Sequence, residues 1–175
     1  MMFKKTLLAT AVVAFGGFAM TASAATTVST TFPVKITITS VCTVAPATAT
    51  PIDFGSVPSN TAAGDPSLTK NNTLSVTCSN GALYNIGLST VKGTDTQGDM
   101  VGSGTAAGDK VTYTLYQPTA AGNAITTTAW GNVAATYYSS TGTGAAQSIN
   151  VYATVTNANH KIGPYLDTVT VNVIY

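Results

Sequence analysis

The sequence has very little charge. Its 175 residues include seven lysines but no arginine, and six aspartates but no glutamate. So few charges form neither a basic surface for nucleic acid nor an acidic field for cations. Long-range electrostatics is therefore excluded as the basis of function.

Patterns typical of catalysis and metal binding are also missing. The single histidine, His160, lies beside Lys161, where a solvated turn residue is the simplest interpretation, and the two cysteines lack Cys-x-x-Cys spacing. There is no Gly-x-Ser-x-Gly, His-Glu-x-x-His or phosphate-loop sequence. Asp95 and Asp99 do not fit an EF-hand, which favours a polar loop over a Ca²⁺ site. We expect neither an enzyme nor a bound cofactor.

Residues 1–24 have the organisation of a cleaved secretory signal. Lys4 and Lys5 precede an apolar run over residues 7–20, and Ala22-Ser23-Ala24 follows it. The run is short for a membrane span, and its flanks fit signal cleavage. We expect a mature chain that begins at Ala25, with an uncleaved anchor as the alternative. The prediction is a secreted protein with no membrane span and no nucleic-acid partner.

The mature chain has the composition of a single β domain. Thr, Ser, Asn and Gly supply its polarity, which favours strands and turns over helices, and its length suits one core. Two cysteines in a secreted chain, Cys42 and Cys78, predict one structural disulfide rather than a redox or metal site.

The strongest strand pattern follows the signal. Apolar residues alternate with polar ones at Val28, Phe32, Val34, Ile36, Ile38, Cys42 and Val44. At about 3.3 Å per residue, an extended segment from residue 26 to residue 44 would reach roughly 60 Å, more than one domain of this size can use. The segment must either bend to form two strands or leave its domain and pair with another molecule.

Further alternations predict about seven strands in antiparallel sheets. They lie at residues 74–78, 83–88, 100–101, 111–116, 149–155 and 165–175, with a loop over 57–70 and short edge strands and loops over 119–146. Asn80-Gly81 predicts a hairpin between the first two. Because no strand follows the last one, the sandwich would expose an apolar groove and unpaired edges.

Three aromatic residues allow a different function. Trp130, Tyr137 and Tyr138 could form a platform on which a sugar stacks, as in a carbohydrate-binding module. Aromatic residues in a sandwich more often belong to the core or to a subunit contact.

Four motifs carry a family resemblance. They are Ser-Val-Cys-Thr-Val at 40–44, Ile-Asp-Phe-Gly at 52–55, Leu-Ser-Val-Thr-Cys at 74–78, and Gly-Pro-Tyr-Leu-Asp-Thr-Val-Thr-Val-Asn-Val-Ile-Tyr at 163–175. Together they resemble the spore coat protein U domain family, which includes the pilins of archaic, Csu-type chaperone-usher pili. The closing motif is the most specific, and the resemblance extends over essentially the whole mature chain.

The resemblance implies an all-β fold, an incomplete immunoglobulin-like β-sandwich completed by a donor strand from another subunit. Residues 25–38 would be the donor-strand extension and residues 39–175 the sandwich domain. The donor side chains would be Val28, Phe32, Val34, Ile36 and Ile38. The C-terminal strand offered to a chaperone would include Val169, Val171, Val173 and Tyr175.

The implied partners are a periplasmic chaperone, an outer-membrane usher, and further copies or sister subunits in a fimbria on the cell surface that supports adhesion and biofilm formation. Pro33 departs from an ideal donor strand because it has no N–H to donate. Three alternatives stay open. Residues 28–44 could be a bent first strand of a complete sandwich, or the protein could be a spore-coat-like secreted structural protein or a carbohydrate-binding adhesin domain.

Overall fold

Strands form nearly all of the regular structure. A computed structural model describes residues 26–46, 51–120 and 124–175, so the expected signal (residues 1–24) and Ala25 lie outside the described residues. The described strands are β1 Cys42–Pro46, β2 Thr69–Cys78, β3 Leu83–Thr90, β4 Gln97–Gly102, β5 Lys110–Pro118, β6 Ile125–Ala129, β7 Tyr138–Thr141, β8 Ala146–Val155, β9 Tyr165–Leu166 and β10 Val169–Ile174. Three single 3₁₀ turns occur at Pro66–Leu68, Gly104–Ala106 and Ala134–Thr136.

The strands form two antiparallel sheets. The larger sheet has the order β1-β2-β8-β5-β4-β9, with β6 also paired to β5, and the smaller sheet has the order β10-β3-β7. The all-β sandwich expected from the sequence is confirmed.

One hydrophobic core lies between the sheets. Alternate residues of both sheets meet there, because successive side chains of a strand point to opposite faces. The most deeply buried include Val76 and Leu115 from the large sheet and Ile86 and Leu88 from the small one. Trp130 is fully buried, and its Nε1–H donates to the Ile86 carbonyl at 2.8 Å.

The predicted hairpin at Asn80-Gly81 is wrong. The turn is present, with Gly81 at a φ of 78°, but β2 pairs with β1 and β8 while β3 pairs with β10 and β7. The turn therefore carries the chain from one sheet to the other. Both edges of β2 already have partners, so β3 finds its hydrogen bonds in the opposite sheet.

Two other predictions need correction. The single strand expected over residues 165–175 is two strands: β9 pairs with β4 in the large sheet and β10 with β3 in the small one. The loop expected over residues 57–70 includes Leu68, which is 1% exposed and belongs to the core. The short elements expected over 119–146 are present as β6 and β7.

The N-terminal region belongs to a separate unit of the chain. The chain divides into two units, Met1–Thr37 and Ile38–Tyr175, and all ten described strands belong to the second. Residues 26–41 form no strand, so of the long alternating segment only Cys42–Pro46 joins a sheet. This differs from a bent first strand running over residues 28–44.

Replacing Trp130 tests the packing between the sheets. We expect Trp130→Phe to lower the free energy of unfolding by about 1–3 kcal/mol, because it removes the bond to the Ile86 carbonyl and leaves a small cavity. Urea denaturation followed by circular dichroism measures the change. The control Tyr116→Phe, on the outer face of β5, should stay within about 0.5 kcal/mol. Equal losses of stability in the two variants would contradict a specific role for Trp130 in the packing between the sheets.

Candidate functional site

The sandwich is open along one side, between β1 and β10. Each of these strands pairs with a single neighbour, β1 with β2 and β10 with β3, so both present unpaired backbone groups along the opening. Between them lies an apolar cavity of about 580 Å³. We call this cavity and its two bordering strands the groove.

Side chains from both sheets line the groove. Its floor is formed by the core residues Leu74, Leu88, Leu115, Val151 and Ala153. Its sides are formed by Val44, Ala45, Pro51, Ile52, Phe54, Met100, Tyr165, Leu166, Val169 and Val171. An apolar floor flanked by open strand edges fits an extended segment with alternating apolar residues, since such a segment can satisfy both the backbone and the side chains.

A disulfide holds one border of the groove in place. Cys42 and Cys78 face each other in the register of β1 and β2, and their sulfurs are bonded. The predicted disulfide is thus present, with Cys78 buried in the core. It fixes the first residue of a short edge strand to the central strand β2.

The other border contains three of the predicted C-terminal residues. Val169, Val171 and Val173 are half-buried and pack against the core, and the first two also line the groove. Tyr175 directly follows β10, which ends at Ile174, and is 58% exposed.

A hydrogen bond fastens the point where the chain leaves β9 for β10. The Tyr113 hydroxyl donates to Asp167 Oδ2 at 2.8 Å. Burial, and then the Asp167 carboxylate, raise the pKa of Tyr113, so the phenol keeps its proton and remains a donor. Gly98 leaves room for this ring, since a Cβ there would overlap it.

Asp109 organises the loop that precedes β9. Its Oδ2 accepts from the Lys161 backbone N–H at 2.8 Å and from the Tyr165 hydroxyl at 2.9 Å. His160 Nδ1 lies 3.5 Å from Asp109 Oδ1, so this histidine is partly buried and paired rather than solvated as expected. The bonds from Lys161 and Tyr165 hold the pKa of Asp109 well below its ordinary value of 3.8.

A second cavity continues the groove past Tyr165. Its volume is about 870 Å³, and it lies between residues 52–60 and residues 158–165. Ile52, Phe54, Met100 and Tyr165 line both cavities. The Ile-Asp-Phe-Gly motif at 52–55 contributed to the family resemblance, but its part in these cavities was not predicted. The available signal was its two apolar residues, which lie in no strand.

The predicted donor residues are all exposed. Val28, Phe32, Val34, Ile36 and Ile38 are each between 80% and 93% exposed. None of them lies in a strand. They form an apolar series every second residue from Phe32 to Ile38, with Val28 four residues before it.

The residues considered for other chemistry have structural roles. Trp130 is fully buried with its ring centroid 5.3 Å from that of Tyr138, so it offers no face to a sugar. Asp95 accepts from the Asn132 backbone N–H and the Thr136 hydroxyl, while Asp99 accepts from Thr112 and Lys110. Asp95 and Asp99 thus bind separate partners.

Within the described ranges, no cluster of three or more His, Cys, Asp or Glu side chains is arranged to hold a metal ion. Across the same residues, no helix has the length and apolarity needed to span a membrane.

Removing the disulfide should loosen the β1 border. The bond joins residues 36 positions apart, and closing such a loop stabilises a fold by roughly 4 kcal/mol on chain-entropy grounds. We expect Cys42→Ser with Cys78→Ser to lose stability of that order in urea denaturation, with fast hydrogen exchange confined first to β1. Unchanged exchange in β1 would show that the strand does not need the bond.

The Asp109 interactions predict a defined pH dependence. A carboxylate whose pKa is depressed by folding stabilises the fold fully above its ordinary pKa of 3.8, and that stabilisation is lost as the pH falls below this value. We expect Asp109→Asn to lower Tm at neutral pH and the deficit to shrink below about pH 4. Thermal melts from about pH 7 to pH 3 measure it. Asp53→Asn is the control, because it removes the charge of a carboxylate that accepts only a local bond from the Gly55 N–H. A deficit that grows with acid would refute the stabilising role of the Asp109 carboxylate.

Comparison with solved structures finds a similar fold. Among solved structures, a chain of the CsuC–CsuE chaperone–tip adhesion subunit pre-assembly complex, from archaic chaperone-usher Csu pili of Acinetobacter baumannii, matches with a TM-score of 0.50 and 19% identity. The match covers 79% of the present chain but only 40% of that one, so it shows the fold alone. No curated protein matches significantly.

The family comparison is more extensive. The Spore Coat Protein U domain matches residues 26–172, a range that includes the N-terminal segment, β1, and most of β10 and of the closing motif. The chain therefore belongs to the Spore Coat Protein U domain family.

Proposed function

We propose that this protein is a structural subunit of a secreted chaperone-usher pilus, which polymerises by donor-strand exchange and supports adhesion and biofilm formation. Residues 25–38 of one copy, or of a sister subunit, occupy the groove of the next copy. Residues 39–175 form the acceptor domain, and residues 1–24 direct export. The role is structural rather than catalytic.

One observation carries the proposal: the chain has both an apolar groove with open edges and an exposed apolar segment that complements it. Burying five side chains at about 2 kcal/mol each would contribute roughly 10 kcal/mol before the cost of ordering the segment. The backbone of the segment would also satisfy the unpaired groups of β1 and β10. Each half of this pair leaves apolar surface in water unless it meets the other half on a second molecule.

Pro33 is compatible with this role. In a strand paired on both sides, the N–H groups of successive residues point to opposite neighbours. Pro33 therefore removes one hydrogen bond from one border only. The apolar residues from Phe32 to Ile38 have even numbers and bond to the other border, so their hydrogen bonds remain intact.

Insertion would also require the groove to widen. Cα atoms of β1 and β10 approach within 8 Å of each other, whereas a strand seated between two others separates them by about 9.5 Å. The groove of the free domain is thus narrower, at some point along its length, than a groove that holds an inserted strand. A periplasmic chaperone that pairs with β10 along Val169, Val171 and Val173 would keep the groove open until an outer-membrane usher adds the next subunit.

Polymerisation gives the first test. The mature protein from Ala25, purified from the periplasm with its chaperone, should form ladders that resist SDS without boiling once the chaperone is displaced. A variant lacking residues 25–38 should bind chaperone but remain monomeric. Stable, folded monomers from both proteins without any chaperone would overturn the proposal, and assembly of the intact protein without an usher would favour a spore-coat-like layer.

A matched pair of substitutions tests the direction in which the side chains point. We expect Ile36→Asp to reduce the SDS-resistant ladder at least tenfold, because it would place a carboxylate in the apolar groove. Thr37→Asp, one residue away and facing outward in the inserted strand, should polymerise nearly as well as the wild type. Equal loss in both variants would contradict insertion with the even residues inward.

A further inference from the structure

We infer that the outer face of the large sheet binds an uncharged polysaccharide, with Tyr116 and Tyr152 as the rings on which its sugar units stack. The site lies away from the groove, on strands β5 and β8. It goes beyond the proposed function, because a single copy presents the whole site whether or not copies are joined. It also differs from the aromatic platform predicted around Trp130, which is buried in the core.

The two tyrosines are neighbours on the solvent side of the sheet. Tyr116 of β5 and Tyr152 of β8 lie directly opposite each other in the strand register. The adjacent residues Leu115 and Ala153 are buried in the core, so the alternation of side chains along a strand directs both tyrosines outward. Both are half-buried, which leaves part of each side chain in contact with water.

The same register extends the pair into a row across the sheet. Asn71 of β2 lies opposite Tyr152, and Ala129 of β6 lies opposite Tyr116. Because adjacent strands are about 4.8 Å apart, the row over these four strands spans roughly 14 Å. Asn71 adds an exposed amide at one end, and Ala129 is too small to cover the ring beside it. The row therefore presents two rings to an extended polymer that crosses the strands.

Hydroxyl and amide groups form a second row beside the tyrosines. The Thr69 and Thr154 hydroxyls are 3.0 Å apart, and Gln97 Nε2 donates to the Thr114 hydroxyl at 3.4 Å. Thr154 and Thr114 also lie opposite each other, two residues from the tyrosines on their strands. A sugar ring has an apolar C–H face that covers an aromatic ring, and hydroxyls at its edge that need hydrogen-bonding partners. The two rows supply both.

A chain of hydrogen bonds orients Tyr152. The Thr73 hydroxyl donates to Asn150 Oδ1 at 2.7 Å, and Asn150 Nδ2 donates to the Tyr152 hydroxyl at 3.4 Å. Because the Tyr152 oxygen accepts this bond, its own proton remains available to a ligand. A side chain that is oriented before binding loses less conformational entropy when the ligand arrives.

The absence of charge beside the tyrosines selects the class of ligand. Every outward-facing residue of β2 and β8 is uncharged. On β5 the outward cation Lys110 is at the opposite end of the strand from Tyr116, and it pairs with Asp99 at 3.3 Å. On these three strands an anionic polymer would thus find no unpaired cation facing outward, and a cationic polymer no carboxylate. A neutral chain such as a β-linked glucan needs neither.

Strand exchange would leave this face uncovered. β1 and β10 border the groove, whereas β5 and β8 lie inside the large sheet. A fibre would therefore repeat the site once per copy, and many weak sites along one fibre bind a long polymer much more tightly than one site does. This multiplication rests on the proposed function, but binding by a single copy does not.

Two cellulose ethers with the same backbone test the class of ligand. The mature protein from Ala25, purified with its chaperone, would be run in native gels that contain neutral hydroxyethyl cellulose or anionic carboxymethyl cellulose, with the chaperone alone as the control. We expect hydroxyethyl cellulose to retard the complex and carboxymethyl cellulose to retard it less. Stronger retardation by the anionic polymer, or none by either polymer, would overturn the inference.

Substitutions locate the site. We expect Tyr116→Thr and Tyr152→Thr each to weaken the affinity for hydroxyethyl cellulose about tenfold, because each removes a stacking ring. Threonine suits a strand, so the fold should persist. Tyr152→Phe keeps the ring and should retain most of the binding. Tyr137→Thr, beside strand β7 of the small sheet, is the matched control. An equal loss in Tyr137→Thr, or wild-type binding by both strand variants, would contradict the site.

Fibres separate this inference from the proposed function. SDS-resistant ladders of normal yield from a protein that does not bind the neutral polymer would overturn the polysaccharide site and leave strand exchange standing. Binding of the polymer by a protein that never forms ladders would refute only the proposed function. Fibres that bundle side by side without any polysaccharide, and lose this bundling with Tyr116→Thr, would assign the face to a second copy of the chain and overturn the inference.

Discussion

The structure depends on backbone hydrogen bonds that the domain does not make for itself. β1 and β10 each lack a partner on one side, and the apolar floor between them lies open. A sandwich normally closes such an opening with a strand of its own, because unpaired groups and exposed apolar surface are costly together. Here the chain carries an alternating apolar segment instead, but it is attached at the wrong end of β1 to run beside β10 of its own domain in the antiparallel sense. Under the proposed function, assembly would follow from this incomplete sandwich.

The alternation of apolar residues predicted which faces of the strands are buried, but not which strands pair. Residues 165–173 illustrate the difference: Val169, Val171 and Val173 pack against the core as their alternation predicts, yet the chain changes sheets between Leu166 and Val169. The Asn80-Gly81 turn was located correctly and its partner was not. Side-chain periodicity records burial, whereas pairing depends on which edges other strands have already occupied.

The groove was only partly foreseeable for the same reason. The donor and C-terminal residues stood out because they alternate strictly, and Cys42 and Cys78 because they are the only cysteines. The polar residues that hold the chain before and after β9 gave no such signal in the sequence. Tyr113 and Asp167 are 54 residues apart, and nothing in the local sequence marks them as hydrogen-bonded. Asp109 accepts from the Lys161 backbone N–H across 52 residues, and only the fold brings the two together.

The position of the disulfide determines how a fibre of these subunits would carry load. Tension on the link at residues 39–41 reaches the domain at Cys42, the first residue of a five-residue edge strand. Without a covalent bond there, pulling would peel β1 from β2 one hydrogen bond at a time, which requires little force. With Cys42 bonded to Cys78, the load passes directly into β2, which is held along its length by β8. The domain would then resist the pull by shearing many hydrogen bonds at once, so drag on the fibre would strain the exchanged strand before it unravelled the subunit.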